Sequence, residues 1–172
     1  MLEKFFSPKS VAIVGASHTP GKVGYVIAEN FISGYEGKVF FVNPDPSPIL
    51  GQPTYPSIKK IQEDLDLVVI AVRSTLVPKI LMECVEKNVE AVIIISAGFS
   101  EIGKEGKVLE DQLKKIILKN KTRVIGPNVV GVYDPSTKVD TIFLPRERMN
   151  RPKEGNIAFI TQSGAVGSTI ID

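Results

Sequence analysis

Two patterns alternate along the chain. Short continuous apolar runs, as in strands buried on both faces, give way to segments whose apolar residues recur every three or four positions, as on one helix face. The first run, Val11 to Val14, breaks at Gly15. A loop of small residues follows, with further glycines at Gly21 and Gly24. Val23, Val26, Ile27 and Phe31 then recur at helical spacing, predicting a helix that stops near Ser33-Gly34. Lys38 to Asn43 (KVFFVN) reads as a second strand ended by Asn43-Pro44. The next stretch, PDPSPILGQPTYPS, holds five prolines and is expected to be mostly irregular, with a short helical piece around Ile58 to Ile61.

Leu65 to Val72 (LDLVVIAV) is the third strand, with Arg73-Ser74-Thr75 at its C-terminal end. A helix from about Leu76 to Lys87 follows, with Ser74 or Thr75 as its expected cap and Pro78 tolerated in its first turn. Ala91 to Ile95 is the fourth strand, the loop SAGFSEIGKEG comes next, and a helix spans about Glu105 to Lys119. Arg123 to Ile125 gives a fifth strand closed by Gly126-Pro127-Asn128, and Thr141 to Leu144 offers a further one. Apolar strands alternating with helices predict an α/β fold built on a doubly wound parallel sheet covered on both faces. Pro145 to Glu154 (PRERMNRPKE) is charged, has no period and reads as a linker. Gly155 to Asp172 then restarts the opening pattern: a strand NIAFIT, a turn QSGAVG and the first residues of a helix. This division makes 1–144 one domain, 145–154 a linker and 155–172 the incomplete start of another.

Composition narrows the picture. The 172 residues are 43% hydrophobic and 23% charged, enough apolar material for one sizeable core. A formal net charge of +2 is too small to imply nucleic acid or an anionic membrane as partner. The longest apolar runs fall far short of the roughly 20 residues a membrane span needs. The N-terminus MLEKFFSPKS lacks the apolar core of a signal peptide, so a cytoplasmic protein is expected. Cys84, the only cysteine, shares a helical stripe with Val77, Ile80, Leu81 and Val85, which points to core packing. One histidine and one cysteine leave no zinc cluster to expect.

Candidate chemistry lies at the strand ends, where open parallel sheets bind their ligands. Strand, glycine turn and helix around Gly15, Gly21 and Gly24 make a phosphate site: small residues admit the anion, and the helix N-terminus supplies unpaired N–H groups. The other ends carry Asn43-Pro44, Arg73-Ser74-Thr75, Ser96-Ala97-Gly98 and Gly126-Pro127-Asn128. These suit a groove for an extended nucleotide ligand and contain no catalytic pair. The nicotinamide-dinucleotide fingerprint fails twice. GASHTPGKVG is longer than GxGxxG, and the second strand ends in Asn43-Pro44 where an acidic ribose ligand belongs, with Asp45 and Asp66 poorly placed substitutes.

The combination VAIVGAS, GKVG, FVNP, DLVVIAV, VIIISAGFSE and RVIGPNVVGV resembles the Rossmann-like CoA-binding domain of the nucleoside-diphosphate-forming acyl-CoA synthetases. That family includes ADP-forming acetyl-CoA synthetase and the α subunit of succinyl-CoA synthetase. The tail GNIAFITQSGAVG resembles the opening of the family's next, ligase-type, flavodoxin-like domain. The resemblance covers nearly the whole chain and implies coenzyme A as ligand. By resemblance Ser17, His18, Thr19 and Pro20 embrace the nucleotide end of CoA, with Gly21, Lys22 and Gly24 opening the helix. Asn43, Pro44, Val72, Arg73, Ser74, Ser96, Ala97 and Gly98 would line the rest. Ser163-Gly164 matches the turn that helps hold a phosphohistidine, while the histidine segment itself would lie beyond Asp172, leaving His18 as a ligand contact.

Many relatives carry proline where Arg73 stands and cysteine where Val129 stands. The first change adds a cation to the groove or projects into solvent; the second alters packing. The implied partners are an ATP-grasp-type domain or subunit and the downstream ligase domain. The apolar set Ile157, Phe159, Ile160, Val166, Ile170 and Ile171 calls for burial by folding back or by pairing with a second copy. Two function classes follow: the CoA-binding portion of a ligase without turnover of its own, or a stand-alone CoA- or nucleotide-binding module without chemistry.

Overall fold

The computed structural model describes residues 2–171. Its centre is a six-stranded, wholly parallel sheet in the order β3-β2-β1-β4-β5-β6. The strands are β1 (Ser10–Val14), β2 (Lys38–Val42), β3 (Thr54–Tyr55), β4 (Leu67–Ile70), β5 (Ala91–Ile94) and β6 (Arg123–Ile125). The helices are α1 (Val23–Gly34), α2 (Val77–Glu86), α3 (Lys104–Leu118) and α4 (Gly164–Ile171). The order reverses between β1 and β4, which opens a crevice over their C-terminal ends. The expected doubly wound fold is borne out.

Side chains alternate across the sheet, and both faces are covered, so each central strand is apolar at every position. Ala12, Val14, Val68, Ile70, Val92 and Ile94 pack on one face with Val77, Leu81 and Cys84 of α2 and Leu113 of α3. Val11, Ile13, Leu67, Val69, Ala91 and Ile93 pack on the other with Ile27, Ala28 and Phe31 of α1 and with Phe5. Cys84 is core, and burial pushes its thiol pKa up. Among the described residues no helix is long and apolar enough to cross a membrane, and no cluster of three His, Cys, Asp or Glu is placed to hold a metal ion.

Three local expectations are corrected. Ser74 and Thr75 do not cap α2; they form a 3-10 turn, Ser74–Leu76, closed by a bond from Leu76 N to Arg73 O (3.0 Å), and α2 begins after it without a side-chain cap. Residues 141–144 form no strand; the pairing falls earlier, between β7 (Tyr133–Asp134) and β8 (Val139–Asp140). The reason is that side chains take the backbone groups a ladder would need. Asp140 accepts from Ile142 N (3.2 Å), Asn30 donates to Ile142 O (2.9 Å) and Arg151 donates to Leu144 O (2.9 Å). The segment NIAFIT has no strand beside it among the described residues and is not a strand itself. Ile157 and Ile160 stand 93% and 97% exposed.

The stretch 145–151 is held on the domain by one buried ion pair. The Nε of Arg151 donates to Asp140 Oδ2 at 2.8 Å, with both side chains almost fully buried. Its remaining nitrogens donate to Met149 O (2.8 Å) as well as to Leu144 O. Burial raises the Asp140 carboxyl pKa from its ordinary value, against the lowering pull of Arg151 and Arg146. Removing Arg151 would leave the buried Asp140 carboxylate with only the half-exposed Arg146 (3.1 Å) as counter-charge, so Arg151→Met should destabilise the fold by up to about 3–5 kcal/mol. Urea unfolding checks this, and an unchanged midpoint would remove the pair from the account.

Candidate functional site: the crevice over the strand ends

The floor of the crevice is built at β1. Gly15 has φ +92, and a Cβ there would collide with the carbonyl of Ala71; a Cβ at Gly24 would collide with the carbonyl of Gly15. Two glycines therefore let the start of α1 press against the end of β1 and its neighbouring strand. The first amides of α1, at Val23 and Gly24, are of the kind no intrahelical carbonyl reaches, and Lys22 is the residue before the helix. Gly21 has φ +78 with open space around it, so its need is conformational rather than steric.

The loop Ser17–Lys22 rims the crevice, with His18, Thr19, Pro20, Gly21 and Lys22 exposed. It is tethered from two sides. Ser17 Oγ accepts from Thr19 N (3.1 Å), and the His18 Nε2 group pairs with Ser47 O (2.9 Å). Asn43 anchors the same corner, donating to Ala16 O (2.8 Å) and accepting from Asp45 N (2.8 Å); its amide is a staple between β1 and β2. Pro44 follows it, exposed. Of the two alternative ribose ligands only Asp66 lies away from the site; Asp45 stands in this same corner, near His18. Asp45 accepts from Ser47 N (2.9 Å), while Asp66 lies at the other end of the sheet paired with Lys4 (2.9 Å).

A second region opens beyond β4, β5 and β6: a cavity of about 480 Å³. Of the residues proposed from sequence it gathers Val72, Ser96, Ala97, Asn128 and Gly164. Ser96 is buried, and its hydroxyl accepts from Val72 N (3.1 Å) while Ser96 O accepts from Asn128 N (3.0 Å), tying three strand ends together. Arg73 is exposed on the rim, and Ser74 packs under Gly98, where a Cβ would stand 2.6 Å from Ser74 Oγ. Ser163 caps α4, its Oγ accepting from Val166 N (3.3 Å). Gly15, the Ser17–Lys22 loop, Asn43 and Pro44 thus form one region and the ends of β4, β5 and β6 the other, and the two adjoin at Val23, the first residue of α1, which lines the cavity.

Sequence reasoning missed Val23, Ala71, Ile95, Val130, Phe143 and Gln162, which complete the cavity. Val23, Ala71, Ile95 and Gln162 are one step from residues it named; Phe143 carries no sequence signal. It also missed two carboxylates that shape the β5 loop. Glu101 accepts from Gly98 N (2.5 Å), and Glu110 accepts from Ser100 N (3.2 Å) while pairing with Lys114 (2.8 Å). A glutamate three residues after a turn's first residue, reaching back to its amide, is the readable signal.

A family model described as a CoA binding domain matches residues 9–135. The chain belongs to the CoA-binding-domain family. Similar curated proteins include the α subunit of acetate–CoA ligase (ADP-forming) II of Pyrococcus furiosus, 41% identical over 99% of this chain and 36% of that one. Another is the acetate–CoA ligase (ADP-forming) of Methanocaldococcus jannaschii, 41% identical over 96% of this chain and 22% of that one. Among solved structures, the dinucleotide-forming acetyl-coenzyme A synthetase 1 of Ca. Korarchaeum cryptofilum, in complex with phosphate and ADP, superposes with a TM-score of 0.89 at 34% identity, covering 99% of this chain and 36% of that one. The chain therefore spans about a third or less of the length of these relatives.

The β5 loop gives this CoA-binding domain a pH signature. The Gly98 amide holds Glu101 below its ordinary pKa, and Lys114 with Ser100 lowers Glu110 from 4.5 to about 2. Depressed carboxylates stabilise the folded loop above their unfolded pKa, and that stability is lost as pH falls through the folded values. Amide exchange at Gly98 and Ser100 should therefore accelerate between about pH 4.5 and 2 relative to the rest of β5. In Glu110→Gln the Ser100 amide should show no such window; an unaltered profile would mean that Glu110 does not hold the loop.

Proposed function

We propose that the chain is the CoA-binding portion of an NDP-forming acyl-CoA synthetase. The full reaction interconverts acyl-CoA, nucleoside diphosphate and phosphate with the acid, CoA and nucleoside triphosphate. The observation that carries this reading is the family match across residues 9–135, which spans the strand ends that build the crevice. In this reading the nucleotide end of CoA lies on the loop Ser17–Lys22 over Gly15, with the phosphates toward the α1 amides. Its pantetheine arm runs past Val72, Arg73 and Ser74 toward Ser96, Ala97, Gly98 and Asn128. Residues 1–144 form the CoA-binding domain, 145–154 the strap to the next unit, and 155–172 the start of a ligase-type domain.

Ser163 and Gly164 would present the N-terminus of α4 to a phosphorylated histidine supplied elsewhere. The exposed Ile157, Phe159 and Ile160 support burial against that further domain, with a homodimer through the tail as the competing arrangement. An ATP-grasp-type domain or subunit would supply the nucleotide chemistry. The compartment proposed is the cytoplasm.

Three outcomes are expected of the 172-residue chain. Calorimetry should show CoA binding with a micromolar-class Kd and far weaker NAD binding, because β2 ends in Asn43-Pro44 rather than in an acidic ribose ligand; equal or better NAD binding would overturn the assignment. Arg73→Ala should weaken CoA binding by about 1.5–3 kcal/mol and flatten its salt dependence, whereas unchanged affinity at low salt would place the guanidinium in solvent. Incubation with labelled ATP should leave the chain unlabelled, since its only histidine, His18, sits on the nucleotide rim; label lost in His18→Ala would contradict that.

A further inference from the structure

Another cavity, of about 420 Å³, lies at the far end of α1 from the crevice. Ser33 and Gly34, the last two residues of α1, line it. They stand about 16 Å along the helix axis from Val23, where α1 begins. The hairpin of β7 and β8 supplies another wall through Tyr133, Pro135 and Lys138. The CoA reading leaves this cavity unused.

The α1 wall is a set of acceptors. Asn30 is 4% exposed, and its Nδ2 donates to Ile142 O (2.9 Å), while no hydrogen bond among the described residues reaches its Oδ1. Every fully buried side-chain nitrogen or oxygen among those residues has a partner, so this oxygen is reached from the cavity that Asn30 lines. Ser33 and Gly34 follow three and four residues on, along the same helix face. The carbonyls of a helix's last turn have no intrahelical amide to accept from, and that end carries partial negative charge. This wall calls for a donor and favours a cationic one.

The facing groups are cations. Arg146 is half-exposed and rests its Nη2 on Asp140 Oδ2 (3.1 Å), which Arg151 also holds (2.8 Å). Two guanidiniums on one carboxylate leave one positive charge over, and a planar guanidinium suits a carboxylate. Lys138 pairs with Glu36 (2.7 Å), both exposed, a surface pair worth little and readily exchanged for a guest. Tyr133 and Pro135 add an apolar surface, the Tyr133 hydroxyl being spent on Pro152 O (2.8 Å).

We propose that this cavity binds a free α-amino acid with an uncharged side chain. Its ammonium meets Asn30 Oδ1 and the carbonyl end of α1, its carboxylate meets Arg146 and Lys138, and its side chain lies on Tyr133 and Pro135. A plain carboxylate would leave Asn30 Oδ1 unmatched, and a plain amine would leave the cations unmatched. The site stands on its own lining and does not depend on the CoA reading.

The test is a residue-resolved NMR titration of the 172-residue chain with L-leucine and with L-phenylalanine. The expected result is a shift of the Ser33, Gly34 and Lys138 amides with a Kd on the order of 1 mM or tighter for at least one of them. No shift at those amides with either, at about twenty times that concentration, overturns the proposal. The matched probes with one end removed are 4-methylpentanoate and 3-methylbutylamine for leucine, and 3-phenylpropanoate and 2-phenylethylamine for phenylalanine. Each should bind about tenfold or more weaker than its amino acid. An acid or amine that binds as tightly as its amino acid would also overturn the proposal. Arg146→Gln, which leaves Arg151 on Asp140, should weaken amino-acid binding by about tenfold. Lys138→Gln, at an exposed position, should weaken it by about threefold and keeps the test open if Arg146→Gln does not fold. Unchanged affinity in a variant shown to be folded by circular dichroism counts against the site.

Discussion

The crevice depends on one close approach. The start of α1 presses so tightly on the end of β1 that a Cβ at Gly24 would enter the Gly15 carbonyl, while a Cβ at Gly15 would enter the carbonyl of Ala71 at the end of the neighbouring strand. That contact aims the free amides of α1 across the point where the strand order reverses. Larger residues would lift the helix off the sheet and move those amides away from the floor. The rest of the site is arranged beyond this fixed corner, with Asn43 stapling β2 to it and His18 tying the rim to Ser47.

From that corner the character of the surface changes across the sheet. Over β1 it is glycine-rich, exposed and rich in backbone donors, the environment an anion needs. Over β5 and β6 it becomes apolar and free of charge. A ligand with a phosphorylated end and an uncharged tail matches this gradient, and CoA is such a ligand. The loop after β5, within the second region, is held by Glu101 and Glu110, both bonded to main-chain amides. These carboxylates shape the wall without facing the guest.

Much of this was legible because local rules govern it. Apolar runs mark strands covered on both faces, and Gly15, Gly21 and Gly24 mark the turn, since backbone geometry alone demands small residues there. The illegible parts depend on partners distant in sequence. Nothing in PRERMNRPKE shows that Arg151 will be buried, because its place is set by Asp140, itself buried only once β7 and β8 pair. Phe143 was read as a strand residue, yet Asn30 and Arg151 take the backbone bonds on either side of it, and it turns into the cavity instead. Asn43 was proposed to face the ligand; its amide holds the Ala16 carbonyl, a contact no spacing rule reveals.

The central claim is that one extended CoA spans both regions, nucleotide over β1 and thiol over β5 and β6. A crystal structure of the chain soaked or grown with CoA tests it most directly. The account predicts electron density for the nucleotide on the Ser17–Lys22 loop, with the sulfur in the cavity beside Ala97 and Asn128. Density with the nucleotide in that cavity, or with the sulfur on the β1 loop, would contradict it.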